Sequence, residues 1–171
     1  IAASRGIPAI IYRPGTIMGD STTGVASLDD FVPSLIRGCM QSGYVPEVEV
    51  NNELHFMPVD YVSRSIVAIS KRQELVGRVF NLINRHGTTG EELWDSLLKF
   101  DPTLRRVSYD TWRSHVAGDS QNALTRYIAS FPERAAPAGE EPLVRPQFDS
   151  EQTLSIMRAA GVDRPEITEP L

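Results

Sequence analysis

The stretch IIYRPGTIMGD, Ile10 to Asp20, decides how the chain is read. It opens as a short continuous apolar run, PAIIY (Pro8 to Tyr12), the pattern of a strand buried on both faces in a parallel sheet. Pro14 and Gly15 then end the run at once, and Thr16, Gly19 and Asp20 follow. The carboxyl end of a buried strand is where open α/β sheets bind ligands. Glycine there permits close backbone approach, and threonine offers a hydroxyl. Taken alone, the same residues equally describe a strand that simply stops.

Upstream, Ile1 to Gly6 reads as the last turn of a helix with Gly6 as its C-cap, as if the chain were cut from a longer protein. Downstream, Gly15 to Leu28 is loop-like, and Asp29-Asp30 starts a helix, DDFVPSLIRGCMQSG, that stops at Gly43. Pro33 falls in its first turn, where a missing N–H does little harm. NNELHFMPV reads as a strand, and DYVSRSIVAISKR as a helix capped by Asp60 with Tyr61, Val62, Ser65, Ile66 and Ile69 as its buried stripe. GRVFNLIN is a second apolar strand, and TTGEELWDSLLKF a helix opened by Thr88 or Thr89. RRVSY gives a short strand, and DTWRSHVAG and NALTRYIASF two helices. Residues 132–148, rich in Pro, Ala and Glu, are expected to form a flexible loop. DSEQTLSIMRAAG makes a last helix capped by Asp149 or Ser150, and the tail after Pro165 is expected to be extended. The simplest architecture is α/β with a helical C-terminal half.

The totals exclude several functions. The 171 residues carry a net charge of -5, and only Lys71 and Lys99 are lysines, so there is no clustered basic surface for nucleic acid. Cys39 is the single cysteine, which leaves no disulfide framework and fits a reducing, cytoplasmic setting. No apolar run approaches the length of a membrane span.

Most chemical constellations fail on spacing. His55, His86 and His115 fall in three different elements with no metal-ligand spacing, so no metal is expected. No Gly-x-Ser-x-Gly elbow marks a nucleophilic serine. Cys39 lies on the apolar stripe of its helix, as a small core residue would. HGTTGEE (His86 to Glu92) lacks both the lysine of a phosphate loop and the glycine triplet of a dinucleotide fingerprint, and fits a capped helix start.

Two segments remain, RPGTIMGD and HFMPVDYVSRSIVAIS. With DDFVPSLIRGC between them, and in this order, they resemble the C-terminal part of a thioester reductase domain. Such domains are extended members of the short-chain dehydrogenase/reductase superfamily. They terminate nonribosomal peptide synthetases, polyketide synthase hybrids and aminoadipate-reductase-like enzymes. The similarity runs from Arg5 to about Asn84 and more loosely through VSYDTWRSHV. It implies a helix-rich α/β substrate-binding portion with late strands of an incomplete Rossmann sheet. In that division, residues 1–84 hold the strands and a substrate-channel helix, and 85–171 form a helical subdomain. By the same resemblance Pro14, Gly15 and Thr16 approach the nicotinamide of NADPH, while Met18, Gly19, Asp20, Asp30 and Phe31 line the substrate channel. The partner implied is an acyl or peptidyl carrier protein with its phosphopantetheine arm. The reaction implied is hydride transfer to the carrier-bound thioester, collapse of a hemithioacetal and release of an aldehyde or alcohol.

The chain departs from the family at the catalytic set. It holds no Tyr-x-x-x-Lys and no glycine-rich fingerprint; Tyr61 is followed four positions on by Ser65. The resemblance places both upstream, in a Rossmann half outside this sequence, so the chain alone is expected to be inert and to hold NADPH poorly. Two alternatives stay open: a redox-independent Dieckmann-type cyclase on the same fold, and a docking or lid module acting by binding alone. A sugar epimerase or dehydratase ranks lower. Open strand edges predict an edge-paired or swapped dimer.

Overall fold

The computed structural model describes residues 3–47, 54–84, 87–134 and 148–165. In chain order, a 3-10 turn at Ala3–Arg5 leads to strands β1 (Ile11–Pro14) and β2 (Thr16–Met18), helix α1 (Phe31–Ser42), strands β3 (Tyr44–Glu47) and β4 (Phe56–Pro58), and helix α2 (Val59–Ser70). Strand β5 (Val79–Leu82), helix α3 (Gly90–Phe100), strand β6 (Arg105–Ser108) and helices α4 (Tyr109–Gly118) and α5 (Glu151–Ala159) complete the set, with further 3-10 turns at Gln73–Leu75 and Thr125–Ser130. The strands form parallel two-stranded ladders, β1 with β5, β2 with β4 and β3 with β6. The fold is α/β, as the alternation of apolar runs and amphipathic segments requires.

Two compact units result: Ile1–Val25, Leu54–Gly87 and Arg145–Ile167 form one, and Ala26–Glu53, Thr88–Val144 and Thr168–Leu171 the other. This differs from a division at residue 84. Helix α1 packs on α4 and β3 and joins the second unit, while α5 packs on α2 and β5 and joins the first.

In the first unit the core gathers Met57 of β4, Tyr61, Val62 and Ile69 of α2, Leu75, Phe80 and Leu82 of β5, and Met157 of α5. Burying each such side chain contributes about 1.5–3 kcal/mol. The stripe on α2 is the expected one, with Ile66 half-buried at its margin. Strand β1 is not buried on both faces: Ile11 is 52% exposed beside its register partner Val79 at 40%. Alternation along the strand explains this, since Tyr12 turns to the core and bonds the Ser70 hydroxyl (2.7 Å), leaving Ile11 and Arg13 on the opposite face. Thr16–Met18, expected as loop, is a strand because it finds a partner in β4, a long-range pairing that local composition does not show. The strand expected over NNELHFMPV is ordered as β4 at Phe56–Pro58, and residues 51–53 lie outside the described residues. Ser150, not Asp149, is the N-cap residue of α5.

In the second unit α1 ends as expected at Gly43, whose φ of 76° is left-handed and whose N–H returns to the Cys39 carbonyl. Strand β3 follows directly and was not legible, because Gly43 precedes it and Pro46 falls within it, and both are turn signals. Gly38 sits where a Cβ would meet Leu124 Cβ at 2.6 Å and Asn122 Oδ1 at 2.7 Å. Asn122, buried, donates to the Gly38 carbonyl (2.9 Å) and accepts the Leu124 N–H (2.9 Å). That local competition is why NALTRYIASF forms only the 3-10 turn Thr125–Ser130 and not an α-helix. The stretch 135–147, within the expected loop, and the tail 166–171 lie outside the described residues.

Candidate functional site

Strands β1 and β5 run in register to a common end, Pro14 opposite Leu82. One residue later the chain changes partner. The Gly15 N–H donates to the Leu82 carbonyl (2.9 Å), and the Thr16 N–H donates to the His55 carbonyl (2.9 Å). Thus the Pro-Gly-Thr step passes the chain from the β5 ladder to the β4 ladder. The carboxyl ends of parallel strands are where open α/β sheets bind ligands. Gly15 is required on packing grounds alone, since a Cβ there would lie 2.3 Å from the His55 carbonyl oxygen. Both backbone donors are engaged, so Pro14, which is exposed, and the half-buried Thr16 hydroxyl are the groups left to face a ligand.

Met18 closes β2 opposite Pro58, and a tight turn follows. Gly19 has no room for a side chain: a Cβ would lie 2.6 Å from the Gly24 carbonyl oxygen. Asp20 organises the turn. Its Oδ1 accepts the N–H of Thr22 (3.0 Å) and of Thr23 (2.9 Å), and its own N–H donates to Val25 O (3.0 Å). These donors, Thr23 first, hold the Asp20 carboxyl below the usual carboxylate range.

Asp60 does not cap α2. The N-cap is Pro58, and Asp60 lies in the first turn with its carboxylate turned across the unit. Oδ1 accepts the Ser21 N–H (2.8 Å), Oδ2 accepts the Ser21 hydroxyl (2.9 Å), and Arg64 pairs with Oδ2 from the next turn. Burial works to raise this carboxyl, but the Ser21 donors and Arg64 outweigh it and hold it below its ordinary value. This Ser21–Asp60 pairing was missed in the sequence. The available signal was register: Ser21 and Asp60 follow the ends of two strands that pair with each other.

Asp30 and Phe31 belong to the second unit. Asp30 is the N-cap residue of α1 without a side-chain hydrogen bond to the helix. Phe31, 39% exposed, meets Tyr127 edge-on (5.4 Å between centroids) and stacks on Phe131 (5.8 Å). Pro14 to Thr16 and Met18 to Asp20 are therefore brought together by the first unit, and Asp30 and Phe31 by the second.

Other candidates resolve as structure. Thr89 accepts the Glu92 N–H (3.2 Å) while Glu92 accepts the Thr89 N–H (2.7 Å), a reciprocal cap that fills the α3 N-terminus with the chain's own carboxylate. His86 lies outside the described residues. His115 packs its ring on Tyr44 (4.6 Å). Cys39 is fully buried, and burial pushes its thiol up to about 12, against a smaller opposing pull from the Trp112 indole. No helix among the described residues is long and apolar enough to cross a membrane.

Known proteins resemble the chain in sequence and in fold. A model of an NAD-binding family, described as Male sterility protein, matches residues 1–66, the span that holds Pro14–Asp20, Asp30, Phe31 and Asp60. The crystal structure of the terminal R domain from the myxalamid PKS-NRPS biosynthetic pathway superposes with a TM-score of 0.75 at 32% identity, over 96% of this chain and 42% of that one. Nearly the whole chain is thus similar to a part of an R domain. A linear gramicidin synthase of Brevibacillus parabrevis is 30% identical over 99% of the chain, which spans 3% of that protein. L-2-aminoadipate reductase of Schizosaccharomyces pombe is 26% identical over 92% of the chain, which spans 11% of it. The chain thus spans 42% of the R-domain structure and a small part of the two synthase and reductase relatives.

Proposed function

We propose that this chain is the substrate-side part of an NADPH-dependent thioester reductase that releases a carrier-bound acyl or peptidyl chain as an aldehyde or alcohol. The observation that carries the reading is the change of ladder at Gly15, with Pro14 and Thr16 on its rim and the Asp20 turn beside it. Pro14, Gly15 and Thr16 border the nicotinamide, and Met18, Gly19 and Asp20 line the acyl channel on the first unit. NADPH, when bound by the complete domain, supplies the hydride. The residues of this chain contribute orientation: a rim held on two ladders fixes the approach of the thioester, and such positioning is worth orders of magnitude in rate. The proton donor and its lysine partner come from the Tyr-x-x-x-Lys that this chain lacks, so the chain alone is inert and binds NADPH weakly. A carrier protein delivers the thioester on its phosphopantetheine arm. By itself the chain pairs through the free edge of β1, whose neighbour among the described residues is β5 alone.

The test is incubation of the complete domain with a carrier-bound thioester, following NADPH absorbance and product together. Oxidation with aldehyde or alcohol supports reduction. Ring-closed product without oxidation replaces it with Dieckmann-type cyclisation, and carrier binding without turnover with a docking module. Tight, saturable NADPH binding to the chain alone overturns the division of labour, and strictly monomeric light scattering overturns the edge pairing.

A further inference from the structure

We infer that Asp60 is a positioning residue that clamps the Gly19–Gly24 turn, and that the clamp sets how the acyl chain is received at the ladder switch. The inference rests on the proposed placement of Met18 to Asp20 along the acyl channel. Strands β2 and β4 end level, at Met18 and Pro58. Just beyond, where backbone pairing has stopped, the Asp60 carboxylate takes both donors of Ser21, at 2.8 and 2.9 Å. The side chain thereby continues the ladder past its last residue pair. Its other contacts orient it: Arg64 Nη2 pairs with Oδ2, and Arg64 Nε donates to the Asp60 backbone carbonyl (3.3 Å). The turn it holds is already closed on itself through Asp20, Thr22, Thr23 and the Gly19–Gly24 contact. A closed turn has one main freedom left, to swing about its base, and the Ser21–Asp60 pair removes it. Hydrogen bonds to a charged acceptor are about twice as strong as neutral ones, so the clamp holds although it is partly exposed. A helix cap would act only on α2; this carboxylate acts on a segment 39 residues away.

The experiment compares the intact reductase domain with its Asp60→Ala and Ser21→Ala variants, by amide exchange and by kinetics. Exchange at Ser21, Thr22 and Thr23 is expected to quicken about tenfold in Asp60→Ala, with Val62 onward in α2 unchanged. KM for the carrier-bound thioester is expected to rise about tenfold in both variants, with kcat changing less than about threefold and KM for NADPH unmoved. Asp60→Glu, which keeps the charge, is expected to recover part of the loss. Faster exchange confined to Tyr61 to Ser63 would show a cap and overturn the clamp. Released exchange at Ser21 with an unmoved thioester KM would overturn the positioning role while leaving reduction intact. The exchange arm needs no turnover, so failure of the reductase reading itself is seen separately, as an inactive wild-type domain.

Discussion

Replacing Gly15 with alanine tests whether the ladder switch is an architectural requirement or a ligand-contact feature. The added Cβ would lie 2.3 Å from the His55 carbonyl oxygen, 3.2 Å from His55 Cβ and 3.3 Å from its carbonyl carbon. Two of these atoms are backbone, so no rotamer change relieves the clash. To reach 3.0 Å the two segments must part by about 0.7 Å. The Thr16 N–H bond to that same oxygen, 2.9 Å long, would then stretch to about 3.6 Å, beyond hydrogen-bonding range. Overpacking of this kind costs about 1–3 kcal/mol. Loss of the bond adds about 1 kcal/mol, for an expected destabilisation of about 2–4 kcal/mol. Urea unfolding of the chain without ligand reads this as a lower midpoint at unchanged slope. Gly118→Ala is the control: nothing lies within 4 Å of its Cβ position, and it should stay within about 0.5 kcal/mol of the parent. A Gly15→Ala chain as stable as that control would refute the argument and return Gly15 to a role in ligand approach alone.

Asn122→Ala should destabilise by about 1–3 kcal/mol in the same assay, because it leaves the Gly38 carbonyl and Leu124 N–H without their partner. Cys39, fully buried with its thiol near 12, should react with a disulfide reagent at neutral pH only as fast as the chain unfolds; rapid labelling of the native chain would contradict this. Asp20 and Asp60 have folded pKa values below the ordinary 3.8, so their contribution to stability is complete above that value and is lost as pH falls through the lower folded values. Thermal midpoints measured down the acid limb should therefore fall below pH ~4, and less steeply in Asp60→Asn; an acid limb identical in that variant would contradict the Ser21–Asp60 pairing.

What was legible in the sequence was whatever local physics decides. The α2 stripe, the Thr89 cap, the Gly43 stop and the burial of Cys39 each follow from residues within a turn or two of one another. What was not legible depends on long-range pairing. Thr16–Met18 is extended because β4 lies beside it, and β3 because β6 does. Asp60 reads as a cap in any local window, since an acidic residue beside a strand end and an apolar-periodic run is the ordinary start signal. Only the β2–β4 register brings Ser21 within reach and turns the carboxylate to it. The site was legible in the same uneven way: Pro14 to Thr16 mark the end of a strand, but not that the strand exchanges one neighbour for another there.

The glycines of YRPG, MGD and IRGC bear on what the family resemblance means physically. Gly15, Gly19 and Gly38 each sit where a Cβ would come within 2.3 to 2.6 Å of an atom elsewhere in the same unit. None of them has a positive φ, unlike Gly24 or Gly43, which turn the chain in open space. The three are therefore close-approach residues, required before any ligand arrives. A glycine beside a strand end invites reading as a phosphate or nicotinamide contact, and packing accounts for Gly15 before any ligand is considered. Gly15 and Gly19 bring backbone against backbone, and so place Pro14, Thr16 and the Asp20 turn, while Gly38 admits the Leu124 and Asn122 side chains. In the function proposed above, those neighbours carry the chemical groups that a substrate or cofactor would meet. Substitutions at the glycines should then cost stability first and activity only as a consequence, whereas substitutions at Thr16 or Asp60 should do the reverse.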